Sequence, residues 1–257
     1  MKYASICLAT IALLGTALAT PAAADFITGA NVALISIRAT DGGESAEANW
    51  LLPVGTLISG HKEWKIPSKT LASRGTDLGV IKLLEVAVDA DPGISVNFSV
   101  ENTTNAPKTY EVTTIPLEFP AMVNPLAYAT AAFTLTDSNE DGAELKGLLP
   151  GGKAYEAIYN NGDPGIVWAR LVGSFTAAAG DSAISKERRP GVSPNREMIP
   201  ATIHSIQAHY KFELSAHDQV SLTSRFDVID VPEPSLLALL GAGAFGLAVF
   251  AWRRRKS

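Results

Sequence analysis

Apolar and polar residues alternate one by one along several segments of the chain, and this pattern constrains the fold most. In residues 94–100, Ile94, Val96, Phe98 and Val100 alternate with serine and asparagine. Because successive side chains of a strand point to opposite faces, this spacing predicts a strand with one buried face. Half-buried strands of this kind are typical of antiparallel sheets.

Two longer alternating segments, residues 205–214 and 220–228, flank a short polar stretch and predict a β-hairpin. Turn-forming residues separate the remaining strand candidates, which are residues 32–39, 80–88, 109–117, 126–136 and 166–175. An antiparallel sheet with one apolar face needs a second such face against it, so the sequence predicts a mainly β, antiparallel β-sandwich. Helix is predicted only for residues 140–149 and 153–159, and residues 186–200 are predicted to form an exposed loop.

The N-terminal segment has the features of an export signal. Lys2 precedes an apolar run at residues 6–18, and Ala22 to Ala24 offer a small-residue cleavage site for signal peptidase. We therefore expect residues 1–24 to be a signal peptide helix and Asp25 to be the first mature residue; a buried N-terminal helix is the alternative. Cys7, the only cysteine, lies in this segment, so the mature chain would hold no disulfide.

The C-terminal segment, residues 231–257, combines a proline motif, an apolar run and a basic end. Pro232, Glu233 and Pro234 precede 17 uncharged residues, which as a helix extend ~25 Å and approach the thickness of a bilayer core. We predict a transmembrane anchor that begins at Leu236, ends at Trp252 at the interface, and is followed on the cytoplasmic side by Arg253, Arg254 and Arg255.

This segment resembles the PEP-CTERM sorting signal of Gram-negative bacteria, which has a Pro-Glu-Pro motif, a short transmembrane helix and a terminal basic cluster. The resemblance covers about the last 27 residues. It implies that a membrane-embedded cysteine protease, an exosortase, recognises Pro232, Glu233 and Pro234 and cuts near them. Prolines keep this region extended and outside the helix, which would leave it accessible to a protease. An ordinary single-pass anchor is the alternative.

The predicted ectodomain, residues 25–230, is acidic. Without the terminal segments, which hold five of the 21 Lys and Arg residues and one of the 26 Asp and Glu residues, its net charge is −9. A negative field of this size opposes binding to nucleic acid and to anionic lipid.

An acidic run at residues 137–142 is a candidate cation site. Asp137, Asn139 and Asp141 place oxygen atoms at alternate positions before a glycine, as calcium loops do. The twelfth position of the run is Leu148, where an EF-hand needs a glutamate, so the run is not an EF-hand. Two interpretations stay open: a weak calcium site on a sandwich loop, or a turn with solvated carboxylates.

No residue is predicted to be catalytic. Strand alternation predicts that His204 points inward and His209 outward, with His217 in a turn, so the histidines would not share a metal. Nothing near them matches a nucleophile motif. The aromatic residues Trp50, Trp64 and Trp168 are candidate glycan contacts if they are exposed together; burial in the sandwich core is the favoured alternative.

These features predict a non-enzymatic, exported protein of the cell envelope or extracellular matrix. It would be anchored in the inner membrane, facing the periplasm, and then processed and moved to the cell surface or outside the cell. The family resemblance adds a biofilm or exopolysaccharide setting. The alternative is a carbohydrate-binding module, with or without calcium, that acts on exopolysaccharide.

Overall fold

The computed structural model of the chain describes residues 25–26, 33–52, 57–58, 61–73, 76–89, 91–160, 165–190 and 195–230, with helical positions at 243, 244, 247 and 254. Among the described residues from 25 to 230, every regular element is a strand, which confirms the mainly β prediction. The predicted signal peptide lies outside the described residues, and so does the predicted transmembrane helix apart from residues 243, 244 and 247.

Nineteen strands follow one another along the described chain. The first ten are β1 (Asp25–Phe26), β2 (Ala33–Asp41), β3 (Glu44–Leu51), β4 (Leu57–Ile58), β5 (His61–Ile66), β6 (Lys69–Ser73), β7 (Thr76–Asp89), β8 (Gly93–Glu101), β9 (Lys108–Thr114) and β10 (Leu117–Val123). The others are β11 (Leu126–Thr136), β12 (Ala143–Gly147), β13 (Lys153–Tyr159), β14 (Ile166–Gly173), β15 (Phe175–Ala177), β16 (Ser182–Arg189), β17 (Glu197–Met198), β18 (Thr202–Leu214) and β19 (Gln219–Ile229).

The strands form two antiparallel sheets that pack as a sandwich. The first sheet has the order β14-β13-β18-β9-β2-β3, with β10 and β12 also on β18, and β15 on β12. The second has the order β16-β11-β19-β8-β7-β5, with β17 on β11 and β6 on β7. The edges meet where β14 lies against β16 and where β3 lies against β6. Strands β1 and β4 form a separate pair.

Aromatic side chains of β18 fill the space between the sheets. The Tyr210 ring meets Phe98 of the second sheet edge-on at 5.3 Å between centroids, and Phe212 meets Phe133 in the same way at 6.1 Å. All four side chains are fully buried. Tyr210 and Phe212 are buried between the sheets because they occupy apolar positions of the alternating residues 205–214, and these positions face the second sheet.

One glycine is required by this packing. The Tyr110 hydroxyl donates a hydrogen bond to the Leu78 carbonyl, 2.8 Å away, and so lies against Gly79. Gly79 has a φ of 141°, and a β-carbon there would overlap the tyrosine hydroxyl and lie 2.8 Å from the Glu101 carbonyl oxygen. A side chain at this position would therefore disrupt the contacts of β7 with Glu101 of β8 and with Tyr110 of β9.

An ion pair joins the two sheets at the β14–β16 edge. The Lys153 ammonium of β13 lies 2.7 Å from the Glu187 carboxylate of β16, and the Gly173 N–H donates to the same carboxylate at 3.2 Å. Burial opposes ionisation of Glu187, but Lys153 outweighs it, so the pKa of Glu187 is lowered.

The two helix predictions are wrong. Residues 140–149 contain strand β12, and residues 153–159 are strand β13. Helix-forming residues such as Ala154 and Glu156 favoured the helix prediction, but β13 is held on both sides, by β14 and β18. Pairing with two neighbours overrides the weak local preference.

The loop prediction for residues 186–200 is also wrong in part, because β16 extends to Arg189 and β17 covers Glu197–Met198. Charged side chains of β16 alternate between exposed and half-buried positions, as an edge strand allows. His204 is exposed, not inward, because the alternation of β18 shifts between Ile203 and Ile206, where the pairing with β10 is irregular.

Candidate functional site

The C-terminal segment leaves the sandwich directly from an interior strand. Ile229, the last residue of β19, pairs with Leu126 of β11, while β8 lies on the other side of β19. No helical stretch in the described part of the chain is long and apolar enough to span a bilayer. Arg254 is helical and exposed. The other predicted sorting and anchor residues lie outside the described residues: Pro232, Glu233, Pro234, Leu236, Trp252, Arg253 and Arg255.

The acidic run after β11 forms a turn that is organised around the Asp137 carboxylate. One carboxylate oxygen accepts the N–H groups of Asn139 at 3.2 Å and Glu140 at 3.1 Å. The other accepts the N–H groups of Gly142 at 3.1 Å and Gly180 at 2.6 Å. The carboxylate thus ties the turn to the segment before β16. Asp137 is buried, so the expectation of a solvated carboxylate is wrong for this residue.

Asp218, in the turn between β18 and β19, lies next to Asp137 and is fully buried. It accepts the Ser138 N–H at 3.3 Å and the Ser215 hydroxyl. Burial raises the pKa of Asp218, and the charge of Asp137 raises it further. The pKa of Asp137 is lowered, mainly by the hydrogen bond from the Gly180 N–H. A hydrogen bond with Asp218 also lowers the pKa of Asp137. Their surroundings therefore shift the pKa values of the two acids in opposite directions.

The three predicted calcium ligands all lie in this turn, where they already take part in hydrogen bonds. All four contacts of the Asp137 carboxylate described above are backbone N–H groups, and the Asn139 amide donates to the Asp141 carboxylate at 2.9 Å. The residues described in the structure contain no group of three or more His, Cys, Asp or Glu side chains placed to hold a metal ion. The geometry matches a self-contained turn.

The three predicted glycan-contact tryptophans do not share an exposed surface. Trp168 of β14 is buried at one edge of the first sheet, with its ring stacked on Phe226 at 5.6 Å. Trp50 of β3 lies at the opposite edge of that sheet, half-buried, with the Lys69 ammonium 5.6 Å from its ring centroid. Trp64 packs against the core from β5, at an edge of the second sheet. The structure supports the core-aromatic interpretation for Trp168.

The outer face of the first sheet carries a row of polar side chains that the sequence pattern did not reveal. Strand register brings together one outward residue from each of six strands, and we call this set the polar row: Asn49, Ser36, Thr113, His209, Glu156 and Arg170. The alternation of each strand marks its outward positions, but only the pairing order places them side by side.

His209 lies at the centre of this face between two carboxylates. Its Nε2 atom is 3.0 Å from Glu111 and its Nδ1 atom 3.4 Å from Glu156, which also accepts a hydrogen bond from Arg170 at 2.6 Å. Burial opposes ionisation of Glu111, but the hydrogen bond with His209 and the charge of Lys211 outweigh it and lower its pKa. His209 therefore points outward, as expected, and His217 lies in the turn before β19.

Comparison with known proteins identifies one segment of the chain. The family model described as the PEP-CTERM protein-sorting motif matches residues 230–256. No curated protein matches the chain.

Solved structures with some likeness to the chain include the carbohydrate-binding module TmCBM61 in complex with beta-1,4-galactotriose. It is 13% identical with a TM-score of 0.26, and the match covers 67% of this chain and 90% of that one. The family 11 carbohydrate-binding module from Clostridium thermocellum is 11% identical with a TM-score of 0.20, over 83% of this chain and 99% of that one. These values are too low to transfer a ligand or a function.

The match to the sorting motif agrees with the order of features in the C-terminal segment. It begins at Asp230, one residue after β19 ends, and it contains the Pro-Glu-Pro sequence, the apolar run and the basic cluster. Residues 230–256 are therefore a PEP-CTERM protein-sorting motif, which marks an exported protein that is processed at the membrane.

Proposed function

We propose that this chain is a non-enzymatic protein of the cell envelope or extracellular matrix, delivered outside as a folded β-sandwich. Signal peptidase removes residues 1–24, and the C-terminal segment holds the domain in the inner membrane, facing the periplasm. An exosortase-like protease then cuts near Pro232, Glu233 and Pro234 and frees the domain for the cell surface or the extracellular space.

The position of the sorting motif carries this proposal. Strand β19 ends at Ile229 and the motif begins at Asp230, so the proline segment follows the last described strand in the sequence. A cut within residues 232–234 removes the apolar run without removing a paired strand residue. Cleavage in the proline segment would therefore leave the folded domain intact, as release of the domain requires.

Release of the domain tests the proposal. In cells that contain an exosortase, the wild-type chain should leave the membrane fraction, whereas the double variant Pro232→Ala, Pro234→Ala should stay in it. The variant Pro107→Ala, which removes an exposed proline from a loop of the sandwich, is the matched control and should be released normally. Release of the double variant at the wild-type rate would contradict recognition of the proline motif.

The polar row favours a second candidate function, glycan binding to exopolysaccharide. Asn49 and the nearby Arg38 are exposed on this face, where they offer hydrogen-bond donors. A glycan array would test this: retention should fall in Asn49→Ala and Arg38→Ala and should not change in Ile184→Ala, on the second sheet. Retention that depends instead on Trp50 would place the binding surface at the β3 edge of the first sheet, and dependence on Trp64 at the β5 edge of the second.

A further inference from the structure

The two ends of the sandwich differ in the chemistry of their exposed residues. The hairpin end is defined by the turn at residues 215–218 between β18 and β19. The tail end is the opposite end, where β19 finishes at Ile229.

Exposed large apolar side chains gather at the tail end. Leu126 of β11 has Met198 as its register partner on one side and Ile229 on the other. Val123 pairs with Thr202 at the start of β18, and the turn at Asn124 joins it to Leu126. The edge strands of the first sheet contribute the end of β3 and the start of β14. We call this set the apolar rim: Leu51, Val123, Ile166, Met198 and Ile229, which are 36–62% exposed.

Several charges at the tail end are paired. Arg189 binds Glu197 at 2.6 Å, and Arg196 lies 2.5 Å from Asp227. Asp91, Glu118 and Asp230 are also exposed at this end, so it keeps some negative charge. Isolated exposed apolar residues are ordinary on a protein surface, but several at one end mark a contact surface.

The hairpin end is acidic. Two lysines there, Lys82 and Lys108, are each paired with a carboxylate, Glu101 and Asp41. Further acidic residues at this end lie in turns or at strand ends: Glu44, Asp77, Glu140, Asp141, Glu144 and Asp181. Anionic headgroups repel such a surface, so the charge distribution favours an orientation with this end away from a membrane.

The chain path places the tail end next to the bilayer. Only residues 230–235 separate Ile229 from the apolar run, and six extended residues reach about 20 Å at most. Resting on the proposed function of the tail as an anchor, we infer that the apolar rim is a membrane-contacting surface that seats the sandwich on the lipid interface before processing. This contact holds the Pro-Glu-Pro segment at the depth of the interface and restricts rotation of the domain relative to the membrane.

Lipid quenching of site-specific labels tests the inference. The full chain, with Cys7→Ser, is reconstituted by its tail into phosphatidylcholine vesicles that carry a quencher in the acyl chains. The single-cysteine variants Val123→Cys, Met198→Cys and Ile184→Cys each carry an environment-sensitive fluorophore on that cysteine. Ile184 is the matched control, since it is exposed and apolar but pairs with Thr134, towards the hairpin end. Fluorescence should be lost at Val123 and Met198 and retained at Ile184.

The outcomes separate this inference from the proposed function. If the tail resists alkaline extraction but no label is quenched, the membrane contact is wrong and the anchor stands. If the chain is extracted from the vesicles, both are wrong. If Val123 and Met198 become shielded only when exosortase is added, the rim binds the protease and not lipid, which also overturns the inference.

Discussion

Ile229 of β19 and Leu126 of β11 are register partners, and the sorting motif begins at the residue after Ile229. The folded domain and its processing segment therefore meet without a linker. The interior strand β19 has β11 on one side and β8 on the other; its register with β8 ends at Asp227, and its register with β11 continues to Ile229. A protease that cuts the tail can work next to a stable structure.

Truncation should show this boundary. A chain of residues 25–230 should unfold within about 0.5 kcal/mol of the longer chain, residues 25–257, because it keeps every described strand. A chain of residues 25–222 lacks the end of β19, including the buried Phe226 and Val228, and should not fold. Urea unfolding followed by circular dichroism measures both. A loss of several kcal/mol on removal of residues 231–257 would show that the tail is part of the fold.

Two buried tyrosines should respond differently to loss of the hydroxyl. The Tyr210 hydroxyl is hydrogen-bonded to Ser224, whereas the buried Tyr155 hydroxyl has no hydrogen-bond partner among the described residues. Tyr210→Phe should therefore lower the free energy of unfolding by about 1 kcal/mol, and Tyr155→Phe should leave it unchanged or raise it by up to about 1 kcal/mol. Equal losses in both variants, measured by chemical denaturation, would mean that Tyr155 is also paired.

Protonation of Asp137 should contribute to the loss of folding stability at acidic pH. Its pKa is lowered in the folded state, so its contribution is present above the unfolded pKa of about 3.9 and is lost as pH falls through the folded pKa. Asp137→Asn should lower the thermal midpoint at neutral pH and flatten the decline of stability as pH falls below about 4.

Asp218→Asn is the matched control, since the pKa of Asp218 is raised in the folded state. Ionisation of Asp218 costs stability as pH rises above its unfolded pKa, so its replacement should cost less than Asp137→Asn at neutral pH. A larger loss of stability in Asp218→Asn than in Asp137→Asn at neutral pH would contradict the opposite pKa shifts of the two acids.

The ion pair between the sheets should make a small, salt-dependent contribution. Glu187→Gln weakens the contact with Lys153, and because the pair is partly exposed the cost should be about 0.5–1 kcal/mol. The exposed pair of Glu213 and Lys146, whose charged atoms are 3.8 Å apart, offers a comparison. Glu213→Gln should change the free energy of unfolding by less. The reverse order in urea titrations would argue against a role of Glu187 in joining the sheets.

Calcium should not stabilise the domain if the turn is self-contained. Since backbone N–H groups occupy the Asp137 carboxylate, calcium at about 1 mM should give neither heat in calorimetry nor a higher thermal midpoint. Saturable heat that disappears in Asp141→Ala would instead establish the calcium site that the spacing of Asp137, Asn139 and Asp141 suggests.

Strand positions were predictable wherever a single periodicity extended along the chain. Residues 126–136 match β11 from end to end, because alternation and flanking turns agree. The prediction failed for residues 153–159, where Ala154 and Glu156 favour helix locally and only pairing with β14 and β18 makes a strand. His204 was misplaced because an irregular pairing interrupts the alternation.

The functional surfaces were predictable only where their residues are contiguous. The sorting motif occupies one segment and was identified from its order of residue types. By contrast, the partners of Asp137 include Gly180 and Asp218, which are far away in sequence. The polar row and the apolar rim each gather single residues from several strands. Their assembly depends on sheet order, which alternation along one strand does not encode.

The identity of the mature C-terminal residue tests the central claim most directly. Mass spectrometry of the protein recovered from cells that contain an exosortase should find a chain that ends near Pro232, Glu233 and Pro234 and retains Ile229. In cells that lack the protease, the same chain should extend through Ser257. A tail that stays intact through Ser257 in both kinds of cell would contradict the account.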